Sequence, residues 1–159
     1  MPGAADETIV PPFVAFNFAV EINLEGESDT LCSASFSDCD GLDVTMDVKT
    51  IREGGNNGQQ IRFPGGRTYG QVTLKRGMTA NFDLWDWVEK TLRRPKLRAK
   101  AEVVIFAPDG QTERARFILN RCLPVRLKSP PLSGKDGMVA VEELQIAFES
   151  LTVKKPKGA

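Results

Sequence analysis

"REGGNNGQQIRFPGGRTYGQVTLKRGMTANFDLWDW", residues 52–87, runs from a polar, glycine-rich stretch through a short alternating strand into a segment with two tryptophans. Gly54, Gly55, Asn56, Asn57 and Gly58 tolerate positive φ and supply no side chain large enough to build a core. They read as the tip of a projecting hairpin whose strand edges are "KTI" before it and "QQIRFPGG" after it. Such a projection meets few partners of its own and commonly pairs with a neighbouring chain. "QVTLKR" at 71–76 is a short strand. "TANFDLWDWVEKTLRR" is the one helical segment, with Thr79 or Asn81 as N-cap, Asp83 and Asp86 early, and Arg93-Arg94 before Pro95. Leu84 or Trp85, Val88 and Leu92 form its apolar stripe, which predicts Trp85, Val88 and Leu92 in the core. Trp87 lies about 200° from Trp85 and is expected to matter less for folding.

Working outward, period-two alternation dominates. "FNFAVEINL" sets Phe16, Phe18, Val20, Ile22 and Leu24 against Asn17, Glu21 and Asn23, and "LDVTMDVK" repeats the pattern from Leu42 to Val48. Both read as strands with one wet face. "LRAKAEVVIFA" and "ERARFIL" flank "PDGQ", a hairpin turn centred on Asp109-Gly110. In "MVAVEELQIAFESLTV" the apolar parity is odd at Val139 and Val141, even from Leu144 to Phe148, and odd again at Leu151 and Val153. Two switches predict bulges or bends in one long strand. The expected fold is mostly β: a small antiparallel β-barrel or sandwich, closed or nearly so, with one flanking α-helix. It forms a single domain over 1–159, with an N-terminal extension at 1–12, a loop at 129–137 and a flexible basic tail at 154–159.

Composition narrows the chemistry. There is no histidine, which removes Ser-His and Cys-His mechanisms and imidazole zinc sites. Cys32, Cys39 and Cys122 are odd in number and form no CxxC pair, so they read as small buried side chains in a reducing compartment. No apolar run nears the roughly 20 residues of a membrane span. "MPGAADETIVPPF" lacks the basic start and apolar stretch of a signal peptide, which points to assembly in the cytoplasm. Charge is segregated along the chain: residues 1–50 hold ten acids and one base, whereas 51–130 hold sixteen bases and seven acids. Such segregation suits head-to-tail docking between copies, unless folding interleaves the two parts and erases it.

No catalytic motif survives inspection. Gly134-Lys135 is followed by Asp136 and has Ser129 where a P-loop needs its first glycine. Counting back from Gly41 as the sixth position puts Phe36 first, so Asp38, Asp40, Asp43 and Asp47 do not form an EF-hand. Lys90, Arg93, Arg94, Lys96, Arg98 and Lys100 lack interleaved Phe or Tyr, so specific nucleic-acid binding is not expected. No enzyme activity, metal or cofactor is expected either.

"FSDCDGLDVTMDVKTIREGGNNG", then "PGGRTYGQVTLKRGMT", then "LWDW", resembles the tail-tube proteins of contractile-tailed phages and extracellular contractile injection systems, relatives of the Hcp tube protein of type VI secretion. The resemblance covers about Phe13 to Val153. It implies a small β-barrel with a flanking helix, hexameric rings stacked into a hollow inner tube within a contractile sheath, and delivery of effector cargo through the lumen. Implied partners are the chain itself, a sheath protein, and baseplate, adaptor and cap proteins, within a phage tail-like particle that is extracellular after release. The resemblance places Arg52, Glu53, Gly54, Gly55, Asn56, Asn57, Gly58 and Gln59 at an interface with an adjacent ring. Two alternatives stay open: a tube–baseplate adaptor or initiator of the same particle, and a monomeric or ring-forming module that binds an acidic ligand through the bases at 90–100.

Overall fold

The computed structural model describes residues 17–52, 54–55, 58–78, 81–135, 137 and 139–155. Ten strands and one helix follow in the order β1 (Phe18–Leu24), β2 (Thr30–Ala34), β3 (Asp38–Asp40), β4 (Val44–Ile51), β5 (Ile61–Tyr69), β6 (Val72–Gly77), α1 (Asp83–Arg93), β7 (Ala99–Phe106), β8 (Glu113–Lys128), β9 (Val141–Ala147) and β10 (Ser150–Lys154). Every strand pairing among them is antiparallel. The main sheet runs β2-β1-β7-β8-β9-β6-β3, with β10 also on β8, while β4 and β5 form a sheet of their own.

The expected barrel does not close: among the described residues the sheet ends on β2 and β3. The architecture is a sandwich-like wrap around one core. Its corner is in β8, whose first half pairs with β7 and β10 and whose second half pairs with β9. Arg121 sits at the bend with a φ of 54°, and its Nε lies 3.0 Å from Glu149 Oε2 in the gap between β9 and β10. That gap is the second predicted parity switch. The first has a different cause. β9 is regular there, and its inward position beside Val141 is held by Glu142, which is buried with Leu144, Ile146 and Phe148.

Glu142 is tolerated because Arg76 is its cross-strand partner. Arg76 Nε donates to Glu142 Oε1 at 2.6 Å, and its guanidinium also donates to both carboxylate oxygens of Asp83, the first residue of α1. The Phe36 ring lies 5.7 Å from the guanidinium carbon. One buried cation thus joins β6, β9 and the helix start. Removing a single member of such a cluster leaves an uncompensated buried charge, which costs about 3–5 kcal/mol.

This clamp also sets the rotation of α1 and corrects the predicted stripe. With Asp83 tied to Arg76, Leu84 and Trp87 turn inward and are fully buried. Trp85 and Val88 are only half-buried, and Leu92, one residue from the helix end and about 80° around the axis from Leu84, is 78% exposed. Asn81 Oδ1 accepts from the Asp83 N–H at 3.1 Å, just outside the helix, while Thr79 lies outside the described residues. The Asp109-Gly110 turn forms as expected. Gly110 has a φ of 73°, and the Asp109 carboxylate accepts from Thr112 Oγ1 and from the Gln111 and Thr112 N–H groups, holding its pKa down to about 2. Strand β10 reaches Lys154, one residue into the expected tail; Phe16, Met138, the 1–12 extension and residues 156–159 lie outside the described residues.

Candidate assembly interface

The alternation of "LDVTMDVK" builds strand β4, but no core lies beneath it. Among the described residues β4 pairs only with β5, and Val44, Met46, Val48, Ile51, Ile61 and Phe63 are all exposed. Sequence reasoning recognised the strand and missed that its apolar face stays open. The signal was present at the roots. Gly41 has a φ of 96°, and a Cβ there would lie 2.1 Å from the Gln71 carbonyl oxygen; a Cβ on Gly70 would lie 2.1 Å from Asp43 Oδ1. Two glycines pinch the chain where the ribbon leaves the body. Tyr69 fastens the root, its ring 5.5 Å from that of Phe148.

The ribbon has two differently composed ends. In register, Val44, Met46 and Val48 share a face with Tyr69, Arg67 and Pro64, and Gly65-Gly66 opposite Asp47 form a bulge. Nearer the tip the opposite face is the apolar one, pairing Lys49 with Phe63 and Ile51 with Ile61. An isolated two-stranded hairpin is marginal in water, and a flat apolar ribbon with unpaired edges invites another chain. Arg52, Gly54, Gly55, Gly58 and Gln59 lie at the exposed tip, as placed from the sequence; Glu53, Asn56 and Asn57 lie outside the described residues.

Folding partly erases the segregation of charge. Glu25 reaches Arg121 at 3.4 Å, and Glu27 lies 3.6 Å from Lys90 and 3.8 Å from Arg94. The groove of about 560 Å³ lined by Glu25 and residues 94–98 is therefore partly neutralised by the chain's own acids, and Arg98 donates to the Pro95 and Leu97 carbonyls. That arrangement weakens the reading of 90–100 as an acidic-ligand site. Burial pushes the Cys32 and Cys122 thiols up to about 12, and burial aided by the Asp40 charge pushes Cys39 up to about 11. All three are thiols at neutral pH; at Cys32 burial and the Asp83 charge outweigh Arg76, whose Nη1 lies 3.6 Å from the sulfur.

The model of the T4-like virus tail tube protein gp19 family matches residues 14–152. Among solved structures, a chain of the anti-feeding prophage tube-terminating cap is 19% identical, covering 98% of this chain and 99% of its own, with a TM-score of 0.80. A chain of the anti-feeding prophage baseplate is 21% identical over 94% and 99%, with a TM-score of 0.79. A chain of the PVC sheath–tube complex, an extracellular contractile injection system, is 19% identical over 93% and 95%, with a TM-score of 0.78. The Hcp1 protein of E. coli EAEC 042 shares the fold more distantly, at 11% identity over 89% and 93% and a TM-score of 0.54. No curated protein sequence matched significantly. With the family model spanning nearly all of the described fold, the chain belongs to the T4-like virus tail tube protein family.

Proposed function

We propose that this tail tube protein forms hexameric rings that stack into the hollow inner tube of a contractile tail or injection system, through which cargo passes. The observation that carries the reading is the β4–β5 ribbon, which has six large apolar side chains open to solvent and, among the described residues, both edges unpaired. A neighbouring subunit supplies the missing cover. Sheath, baseplate and cap proteins are the proposed further partners. Their support is the shared fold with chains of sheath–tube, baseplate and cap structures. Assembly is proposed to occur in the cytoplasm. The tail tube family is a structural one, and the described residues hold no metal-binding cluster.

Negative-stain microscopy of the purified protein tests this: six-fold rings and tubes are expected, and monodisperse 17.5 kDa particles at high concentration contradict it. Replacing Gly54–Gly58 by Asn-Gly should leave folded rings that do not lengthen. A second reading, an adaptor joining tube to baseplate or cap, is favoured by the likeness to baseplate and cap chains. An adaptor stops at one ring, whereas a main tube protein lengthens.

A further inference from the structure

The outer side of β3, β6, β9 and the second half of β8 carries a pattern of charge that the fold does not use. Asp38 stands opposite Lys75, Lys75 opposite Glu143, and Glu143 opposite Lys128. Acid and base thus alternate in one row across four strands, about 14 Å wide. The next row runs Asp40, Thr73, Gln145, Arg126, again from acid to base. Leu74 and Leu144, which alternate with these residues along β6 and β9, are buried, so both rows face away from the core. The three carboxylates and three bases sum to zero, and none of the six forms an ion pair among the described residues. On β7 and the first half of β8, by contrast, Lys100, Glu102, Arg116 and Glu113 are tied into one network.

The band is built to stay wet. Contacts between proteins draw their energy from aromatic and other large side chains packed in dry pockets, and neither row has an aliphatic or aromatic member. Val141 and Leu123 lie in the rows beyond, at either end. The band also runs on into the ribbon. Tyr69 meets the core residue Phe148, which puts Val44, Met46 and Val48 on the core-facing side and Thr45, opposite Thr68, on the side of the band. Covering the apolar side with another copy leaves the polar side open and continuous. We propose that this band is the lumen wall of the tube, and that its balanced charge passes polypeptide cargo of either net sign. It rests on the stacked-tube reading and names the surface that meets the cargo. Opposite charges on strands about 4.8 Å apart cancel well inside the screening length of about 8 Å at physiological ionic strength, so the wall neither holds nor repels a polypeptide for its net charge. A polymer of one sign calls for a wall of that sign throughout, whereas Lys75, Arg126 and Lys128 stand ready to attract phosphates.

Labelling of assembled tubes locates the band. In Gln145→Cys, and independently in Thr73→Cys, a small maleimide should label the new thiol in tubes and in dissociated subunits alike. A maleimide carried on an antibody should label it in dissociated subunits only; wild type sets the background from Cys32, Cys39 and Cys122. Tubes labelled by the antibody conjugate put the band outside, and tubes that exclude the small maleimide put it between copies. Either result overturns the wall while sparing the tube reading. Charge is read from peptides enclosed during assembly, once external peptide has been digested by a bead-bound protease. Wild-type tubes should hold lysine-rich and glutamate-rich peptides alike. Lys75→Glu/Lys128→Glu tubes should favour the lysine-rich peptide about tenfold, and Asp38→Lys/Glu143→Lys tubes the glutamate-rich one about tenfold. Variants that match wild type, or that no longer build tubes, overturn the proposal. Wild type that favours the lysine-rich peptide about tenfold has an acidic wall, the kind a nucleic acid slides past, and overturns the polypeptide assignment. A wild type that never stacks overturns the tube reading and the wall with it.

Discussion

The Arg76 cluster and the β4–β5 ribbon break the inside-apolar, outside-polar rule in opposite directions. In the first, Arg76 and Glu142 are buried with Phe36, Leu84 and the inner face of β9, and Asp83 is partly buried beside them. In the second, valines, isoleucines, a methionine and a phenylalanine stand in solvent on a two-stranded ribbon. The difference lies in where each set finds its partner. Arg76 has its partners within the subunit, at hydrogen-bond distance, so its charge is a folding device. The ribbon has none among the described residues, and its apolar surface is the one proposed to serve assembly. Substitutions should therefore separate cleanly: changes in the first region unfold the subunit, and changes in the second leave it folded and alone.

The largest effects belong to the clamp and the helix it orients. Glu142→Ala leaves Arg76 buried without its cross-strand carboxylate and should cost about 3–5 kcal/mol in a chemical denaturation curve. Replacing Arg76, Asp83 and Glu142 together by apolar residues of similar volume should cost much less, because no lone charge is left behind. Trp87→Ala should also cost about 3–5 kcal/mol, and Leu92→Ala less than about 0.5 kcal/mol. The reverse ranking in thermal melts would mean that α1 is rotated from the orientation the Arg76–Asp83 pair imposes.

A smaller effect is expected at acid pH. Burial acts to raise the Glu102 pKa, but hydrogen bonds from Lys100 and Arg116 outweigh it and hold the carboxyl below its usual range; hydrogen bonding to Arg116 does the same for Glu113. A carboxylate with a depressed folded-state pKa contributes stability that is present above its unfolded value, near 4.3, and is lost as pH falls through the lower folded value. Wild type should therefore exceed Glu102→Gln in melting temperature at pH 7, and the two should converge as pH drops below about 4. A gap that persists at low pH would assign the effect to packing instead.

Much of this was legible in the sequence, and the exceptions share a cause. Alternation located β1, β7, β8 and β9, and Asp109-Gly110 located their turn, because those signals are local. Helix α1 was found, but its phase was misread. Trp85, Val88 and Leu92 make as good a stripe as Leu84 and Trp87 until Asp83 is tied to Arg76, and that tie joins two different elements, β6 and α1, so it leaves no mark in the helix's own periodicity. Glu142 looked like a parity break because a buried acid cannot be recognised without its arginine. The resemblance places the ribbon's tip residues Arg52 to Gln59 at an interface, whereas alternation reads β4 only as a strand with one wet face and leaves open what covers the other. Period-two alternation reports that one face is covered, not whether the cover is the same chain.

The ribbon should show the smallest effect on folding and the most specific effect on assembly. The triple variant Met46→Ser/Val48→Ser/Phe63→Ser, measured by thermal melt and negative-stain microscopy side by side, asks directly whether its apolar surface serves the subunit or the assembly. The expected result is a melt within about 0.5 kcal/mol of wild type, as for exposed positions, with tubes absent. A variant that unfolds, or one that assembles into normal tubes, contradicts the assignment of the β4–β5 surface to a neighbouring copy.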